Sequence, residues 1–497
     1  MCFSEKPEAA QFYTELLIHL IRDAAFSLTL QPDFFDRDIS YVIDRVRTDG
    51  IDFLTKTLPS LGKAFDKALS SDTNFSSPPG FSTKNYGDIE YPKFLRVLFC
   101  LVFAPDGRVR ANDLDCADMR WFRQVGLFPD ESSQIQIVAV RAIRQICYLA
   151  YKLELPYDVS IEEDKYSSFE HLDASLPDVD ACLANDTETY QALESASMLL
   201  GYVLRRLNVE EIVPKHGPGA VAGGEKPWQK FNFNKRFRCL EKIYPFGDWF
   251  FFNGHHLDDQ LETHVPLKEQ TDPCTKVCLV PKDSRGPRLI AMEPKEIQWI
   301  QQGLARAIID IVESCSSLTS GYVNFTDQFI NRGLAMKHSN DGDFVTLDMK
   351  DASDRVSVAL VSRVFPPRIF EALMACRSPF TELPNGHRVR LKKFASMGSA
   401  TCFPVEALVF WAIAVGSLTR IASVRDFKSL HEVYVYGDDI ILRKEDADTV
   451  CRVFAKLALQ VNEDKCCTGR FFRESCGCDA FKEHDVTPLR LHTLWQA

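Results

Sequence analysis

The stretches FVTLDMKDASDRVS, residues 344–357, and VYVYGDDIILR, residues 433–443, decide how this chain is read. In the second, Gly437-Asp438-Asp439 sits between two apolar, β-branched runs, the pattern of a hairpin with two carboxylates at its tip. In the first, Asp348 follows the apolar run Phe344 to Leu347 and is predicted at a strand end. Together, Asp348, Asp438 and Asp439 offer hard oxygen ligands for two divalent ions. That arrangement activates a hydroxyl and stabilises a departing pyrophosphate in phosphoryl transfer. A Gly-Asp-Asp turn by itself is an ordinary surface turn. The earlier aspartate cluster, also set beside an apolar run, gives it weight.

Working outward, a helix is predicted over about 446–459, and Lys465 follows as the cation placed to protonate pyrophosphate, or else as a plain surface lysine. Within DMKDASDRVS, Asp351 and Asp354 can share a helical face. Asp354 is placed to test ribose hydroxyls, whereas Asp351 reads as an N-terminal helix charge. Between the two acidic segments, residues 385–411 carry Arg388, Arg390, Lys392 and Lys393 on a strand-like run. The small-residue loop Ser396-Met397-Gly398-Ser399-Ala400-Thr401 then enters an apolar helix. Such a loop can contact a template backbone or a sugar, although Ser399 or Thr401 alone is more often a helix cap.

Upstream, KVCLVPKDSRGPRLIAMEPKEIQWIQQ, residues 276–302, reads as a β-hairpin projecting Lys282, Arg285 and Arg288. Arginine forks and lysine point charges suit a triphosphate; ordinary surface cations are the plain alternative. KHGPGAVAGGEKPWQK, residues 215–230, is glycine-rich and locally basic, either a phosphate cradle or a structural turn, and it lacks the GK[ST] of a Walker A loop. The first half reads as a helical platform, with periodic segments at 12–25, 34–47, 61–69, 133–152 and about 190–207. Residues 70–90 are expected to be a surface loop, and the acidic tract 157–189 a solvated linker.

The 497 residues, 45% hydrophobic and 26% charged, can bury a sizeable core. A net charge of -11 disfavours a nucleic-acid coat or histone-like binder, but not an enzyme with a local basic channel. Sixteen scattered cysteines, with no secretory signal or 18-residue apolar span visible, point to buried thiols in a reducing cytoplasm. Cys466-Cys467 and Cys476-Gly477-Cys478 lack the usual zinc spacing.

Seven segments in order carry a resemblance: HGPGAVAGGEK, VPKDSRGPRLIAMEP, NFTDQFINR, TLDMKDASDRVS, KFASMGSAT, YVYGDDI and GRFFRESCG followed by DVTP. The set resembles the replicase catalytic (beta) subunit of single-stranded RNA bacteriophages, the levivirus group, from roughly residue 50 onward. The resemblance implies an α+β, right-hand polymerase of fingers, palm and thumb, with an antiparallel-sheet palm and a largely helical N-terminal region. It divides the chain into 1–210 (helical, fingers-associated), 211–340 (fingers with the basic hairpin), 341–470 (palm) and 471–497 (palm–thumb junction hairpin and a truncated thumb).

By the same resemblance, Asp348, Asp438 and Asp439 would hold two Mg2+, with Mn2+ able to substitute, and Asp354 would sense the ribose 2′-hydroxyl. Ser396, Gly398 and Ser399 would support template and nucleotide, while Lys282, Arg285 and Arg288 would contact triphosphate. Lys465 would be the proton donor, and Phe472 to Gly477 the hairpin at the priming site. The implied activity is RNA-directed RNA polymerisation from NTPs, primer-independent, in the cytoplasm of an infected bacterial host. RNA template and product are the implied partners, together with host elongation factors Tu and Ts and a ribosomal S1-like protein, with no membrane. The chain ends 58 residues after Asp439, where the family continues into a helical thumb. The thumb is therefore expected to be reduced, to lie elsewhere, or to belong to a longer sequence. A reverse transcriptase shares the palm logic, and a non-catalytic RNA-binding protein would account for the basic segments but not for the carboxylates.

Overall fold

The computed structural model describes residues 7–31, 33–111, 134–183, 186–251, 254, 255, 258, 268–270 and 272–493. The N-terminal region opens with α1 (Pro7–Ser27), α2 (Asp36–Asp49), α3 (Leu58–Ser71), α4 (Arg96–Val102) and α5 (Gln134–Tyr148). In α1, Tyr13, Leu17, Ile21 and Ala25 recur every fourth residue and are buried, which is how one helical stripe meets a core. Phe65 of α3 meets Phe99 and Phe103 edge-on, with ring centroids 5.4 and 5.7 Å apart. The stretch expected to be a surface loop at 70–90 contributes to this core. It buries Phe75 and Phe81 and forms a short hairpin, Thr83–Tyr86 with Ile89–Pro92.

The acidic tract also departs from expectation. It is helical over α6 (Val159–Ala174) and again over Val179–Leu183. Only Phe169 and Asp173 of α6 are buried, so no apolar stripe marks this helix in the sequence. Next comes α7 (Thr187–Val203), whose N-cap Asp186 accepts a hydrogen bond from the Thr189 amide at 3.2 Å.

The cationic hairpin forms as expected, from β1 (Cys274–Asp283) and β2 (Gly286–Met292), and leads into α8 (Lys295–Asp310) and later α9 (Phe329–Asp341). Beyond them lie β3 (Phe344–Lys350), β4 (Phe380–Glu382), β5 (Arg388–Arg390), α10 (Cys402–Leu418), β6 (Val433–Tyr436), β7 (Asp439–Arg443), α11 (Ala447–Lys456) and β8 (Gln460–Val461). The last strands are β9 (Phe472–Ser475), β10 (Cys478–Phe481) and β11 (His484–Asp485).

One four-stranded sheet runs β6-β7-β3-β8, antiparallel throughout; another runs β2-β1-β4-β5, with only the β1–β4 pair parallel. The architecture is thus mixed α+β. In β3, Val345, Leu347 and Met349 face the core shared with α7, α8, α10 and α11. Alternation along a strand turns Phe344, Thr346 and Asp348 to the other face. There the β9–β10 hairpin lies, and the Arg473 guanidinium donates to the Phe344 carbonyl at 2.6 Å. A second core joins the N-terminal helices to Cys467, Phe471, Phe472, Phe481 and Val486. The far ends of the sequence therefore share one hydrophobic interior.

Candidate active site

The Tyr436 to Asp439 turn closes β6 onto β7 with Gly437 at φ +62°, first of two loop residues, as a type II′ turn requires. A Cβ at Gly437 would lie 2.2 Å from the Phe403 ring of α10, so only glycine fits here. This seating sends Asp438 and Asp439 toward β3, where Asp439 stands directly across from Asp348. Asp348 itself is not the last residue of its strand. Pairing of Lys350 and Met349 with β8 carries β3 two residues further than the sequence pattern suggests.

Each carboxylate has a distinct set of partners. Asp348 accepts from Lys465 Nζ at 2.8 Å and from Asn462 Nδ2 at 2.9 Å. Asp439 accepts from the Cys476 amide at 2.9 Å. The Asp438 carboxylate accepts no hydrogen bond from another residue among those described. Burial and then repulsion from Asp438 push the Asp439 carboxyl up to about 6. Burial and repulsion from Asp348 raise Asp438 as well, against a weaker pull from Lys465 and Arg288. Burial lowers the Lys465 ammonium, yet its pairing with Asp348 outweighs this and holds its pKa above the ordinary value.

Among the described residues no three or more His, Cys, Asp or Glu side chains are set close enough to hold a metal ion as they stand. In residue type, three carboxylates match the hard oxygen donors that a divalent cation takes. Three oxygen-bearing groups converge, two of them disfavoured as anions by their surroundings, and a dication would relieve that repulsion.

The cations expected to hold triphosphate do not act alike. Arg285 folds back on Asp283, with Nε to Oδ1 at 3.1 Å and an Nη to Oδ2 at 2.7 Å. Lys282 and Arg288 make no side-chain hydrogen bond or ion pair among the described residues. Asp354 pairs with Lys393 Nζ at 2.9 Å, and this lysine is fully buried under the Phe169 ring, 3.4 Å from its centroid. The Lys392 and Lys393 amides donate to Asp173 at 2.8 and 2.9 Å, so α6 fixes the Asp354 partner in place.

In the small-residue loop, Met397 accepts from the Ala291 amide of β2 at 2.9 Å, and Gly398 adopts φ +120°. Ser399 and Thr401 hydroxyls lie 3.1 Å apart, and the buried Ser396 Oγ has no hydrogen-bond partner. The loop thereby docks the carboxylate sheet's helix to the cationic hairpin. In the glycine-rich stretch 215–230, Lys230 is buried and donates to the Gly217 carbonyl at 3.0 Å and to that of Gly219. It works as a fastener within the loop, so the structural alternative describes that lysine.

Asn462, Phe403 and Lys393 shape the site although sequence reasoning assigned them no role in it, and Cys476, within the hairpin expected at the priming site, offers Asp439 its amide, which the sequence did not indicate. Asn462 is three residues before Lys465, and its spacing from that lysine was the one available signal.

Carboxylates within electrostatic reach of Lys465 and of the unpaired Arg288 define a class of site suited to divalent metal and phosphate chemistry. Residues 267–494 match the family described as RNA replicase, beta-chain. The chain is 35% identical over 228 residues to the RNA-directed RNA polymerase subunit beta of Escherichia virus Qbeta, an alignment covering 46% of this chain and 37% of that protein. It is 32% identical over 213 residues to the RNA-directed RNA polymerase beta chain of Escherichia phage MS2, covering 43% and 37%. The RNA-directed RNA polymerase subunit beta of Enterobacteria phage SP is 34% identical over 216 residues, covering 43% and 35%. The matched part thus spans little more than a third of these relatives. The resemblance read from the motifs is found here, over a shorter range than expected, and HGPGAVAGGEK at 216–226 lies outside the matched family range.

Proposed function

We propose that this chain carries the catalytic centre of an RNA-directed RNA polymerase that copies a phage RNA genome from NTPs. The observation that carries the reading is the pairing of Asp348 with Asp439 beneath the Gly437 turn, with Lys465 and Arg288 beside it. The names of the relatives supply the polymer and the substrate.

In this reading Asp348, Asp438 and Asp439 would hold two Mg2+, or Mn2+ in its place, which when bound lower the pKa of the RNA 3′-hydroxyl and offset the charge of pyrophosphate. Lys282 and Arg288 hold the incoming triphosphate, and Arg285 aligns through Asp283. Lys465, freed from Asp348, gives its proton to the departing pyrophosphate. Asp354, steadied by Lys393, accepts from the ribose 2′-hydroxyl, while Ser396, Gly398 and Ser399 support the nucleotide and template. Base pairing supplies sequence fidelity. The fingers, palm and thumb divisions, primer-independent initiation and the host cytoplasm belong to the same proposal. So does partnership with elongation factors Tu and Ts and an S1-like protein. Among the described residues no helix is long and apolar enough to cross a membrane.

The test is incorporation of labelled NTPs and dNTPs on an RNA template with Mg2+, with and without the bacterial elongation factors. NTP incorporation by the natural chain is expected, with a loss of at least about a thousandfold in Asp438→Asn while RNA binding persists. An Asp438→Asn protein that polymerises normally would sink the assignment, and preferential dNTP use would favour a reverse transcriptase.

A further inference from the structure

Outside the family-matched residues, the N-terminal body reaches the cationic hairpin directly. Ser284 Oγ donates to the Thr55 carbonyl at 2.9 Å, Tyr157 Oη donates to the Asp283 carbonyl at 2.9 Å, and the Lys282 amide donates to Tyr157 Oη at 3.3 Å. These bonds fix the turn that leads into α3, and the segment after α5, against the hairpin turn. Tyr151 then stands between two cations, with Lys63 Nζ and Arg285 Cζ each 5.2 Å from its ring centroid.

We propose that Lys63 and Lys152, with Tyr151 between the cations, form the outer part of the entrance that binds the NTP triphosphate. This rests on the polymerase reading above and extends it to residues outside the family-matched range.

Lys63, Lys152, Lys282 and Arg288 make no ion pair among the described residues. Burial lowers the Lys63 ammonium, and the Arg285 charge lowers it further. Lys152 is lowered by burial and by Arg490, and Lys282 by burial and by Arg288. Asp283, held by Arg285, answers only part of this charge; the like charges left in excess raise the energy of the empty site, and a dense anion relieves that repulsion. The inner end of the cluster is the Arg288 and Lys465 pair beside Asp438 and Asp348. A compact polyanion that reacts at those carboxylates fits this convergence better than an extended RNA backbone.

The experiment uses the full chain, with Lys63→Ala, Lys152→Ala and Lys63→Arg. NTP incorporation on an RNA template is measured beside inorganic tripolyphosphate titration and RNA filter binding. Each alanine variant is expected to raise KM for NTP by about three- to tenfold, with kcat changed far less and RNA affinity kept. Inhibition by tripolyphosphate should weaken by a similar factor, and Lys63→Arg should restore most of the loss. Unchanged KM and unchanged tripolyphosphate affinity would overturn the proposal. Weakened RNA binding with unchanged KM would overturn it too, in favour of a template surface. If the natural chain incorporates no nucleotide, the polymerase reading fails separately, and tripolyphosphate binding alone then decides whether the cation cluster is an anion site.

Discussion

Glu293 follows β2 and is buried; its carboxylate accepts from Gln301 Nε2 at 3.1 Å and from the Ser378 hydroxyl at 2.5 Å. Burial pushes its carboxyl up to about 7, with these hydrogen bonds and Arg377 opposing only part of the effect. A carboxyl whose folded pKa is raised favours folding fully below its unfolded value, near 4.5, and loses that contribution as pH rises through about 7. The loss amounts to roughly 3 kcal/mol at pH 8. Glu293→Gln keeps hydrogen-bonding groups in place without the charge. The variant should therefore match the natural chain near pH 5 and become progressively more stable than it toward pH 8, which thermal unfolding across that range would check. A stability difference that does not grow with pH would assign the effect elsewhere. Glu293 also shows where reading by residue stops. Asp348, Asp438 and Asp439 are legible because type and setting agree, whereas Glu293, Asn462 and the Cys476 amide gain meaning only from what the fold brings to them.

At the scale of elements, the loop between β5 and α10 is positioned by one glycine. A Cβ on Gly398 would lie 2.3 Å from the Ala291 carbonyl oxygen of β2, and its φ of +120° is closed to other residues. Gly398→Ala should therefore push the loop off the hairpin. The expected cost is about 1–3 kcal/mol in stability, measured by urea unfolding. A drop of roughly tenfold or more in NTP incorporation should accompany it, because carboxylates and cations lose their mutual register. Normal incorporation would mean that the docking of loop to hairpin is incidental. The hairpin itself was legible, since Asp283-Ser284-Arg285-Gly286 is turn chemistry between two apolar runs. Helix α6 was not, because it is mostly exposed and its contribution to the site is Asp173, which holds the Lys392 and Lys393 amides. A strand can be read from its own alternation, but a helix that contributes one buried carboxylate has no periodic signature.

For the molecule as a whole, the sequence pattern marks the N-terminal helices without indicating their destination, because pairing across more than 300 residues leaves no local trace. Arg144 of α5 makes that connection. It is 1% exposed and donates to Asp66 Oδ2 at 3.1 Å, to Asp479 Oδ2 of β10 at 2.8 Å and to the Val486 carbonyl at 3.3 Å. The same β9–β10 hairpin turns at Cys476, whose amide holds Asp439. Arg144→Ala would leave Asp66 and Asp479 buried without their cation, and removing one partner of a buried ionic cluster costs about 3–5 kcal/mol. Denaturant unfolding should show that loss. Hydrogen exchange should show amides 472–481 losing protection together with α5, and incorporation should fall as Asp439 loses its fixed donor. Arg144→Lys should recover only part, since a point charge cannot reproduce the guanidinium fork that spans two carboxylates and a carbonyl. Unchanged protection of 472–481 in Arg144→Ala would uncouple the N-terminal body from the carboxylates and restrict the site to the matched part of the chain.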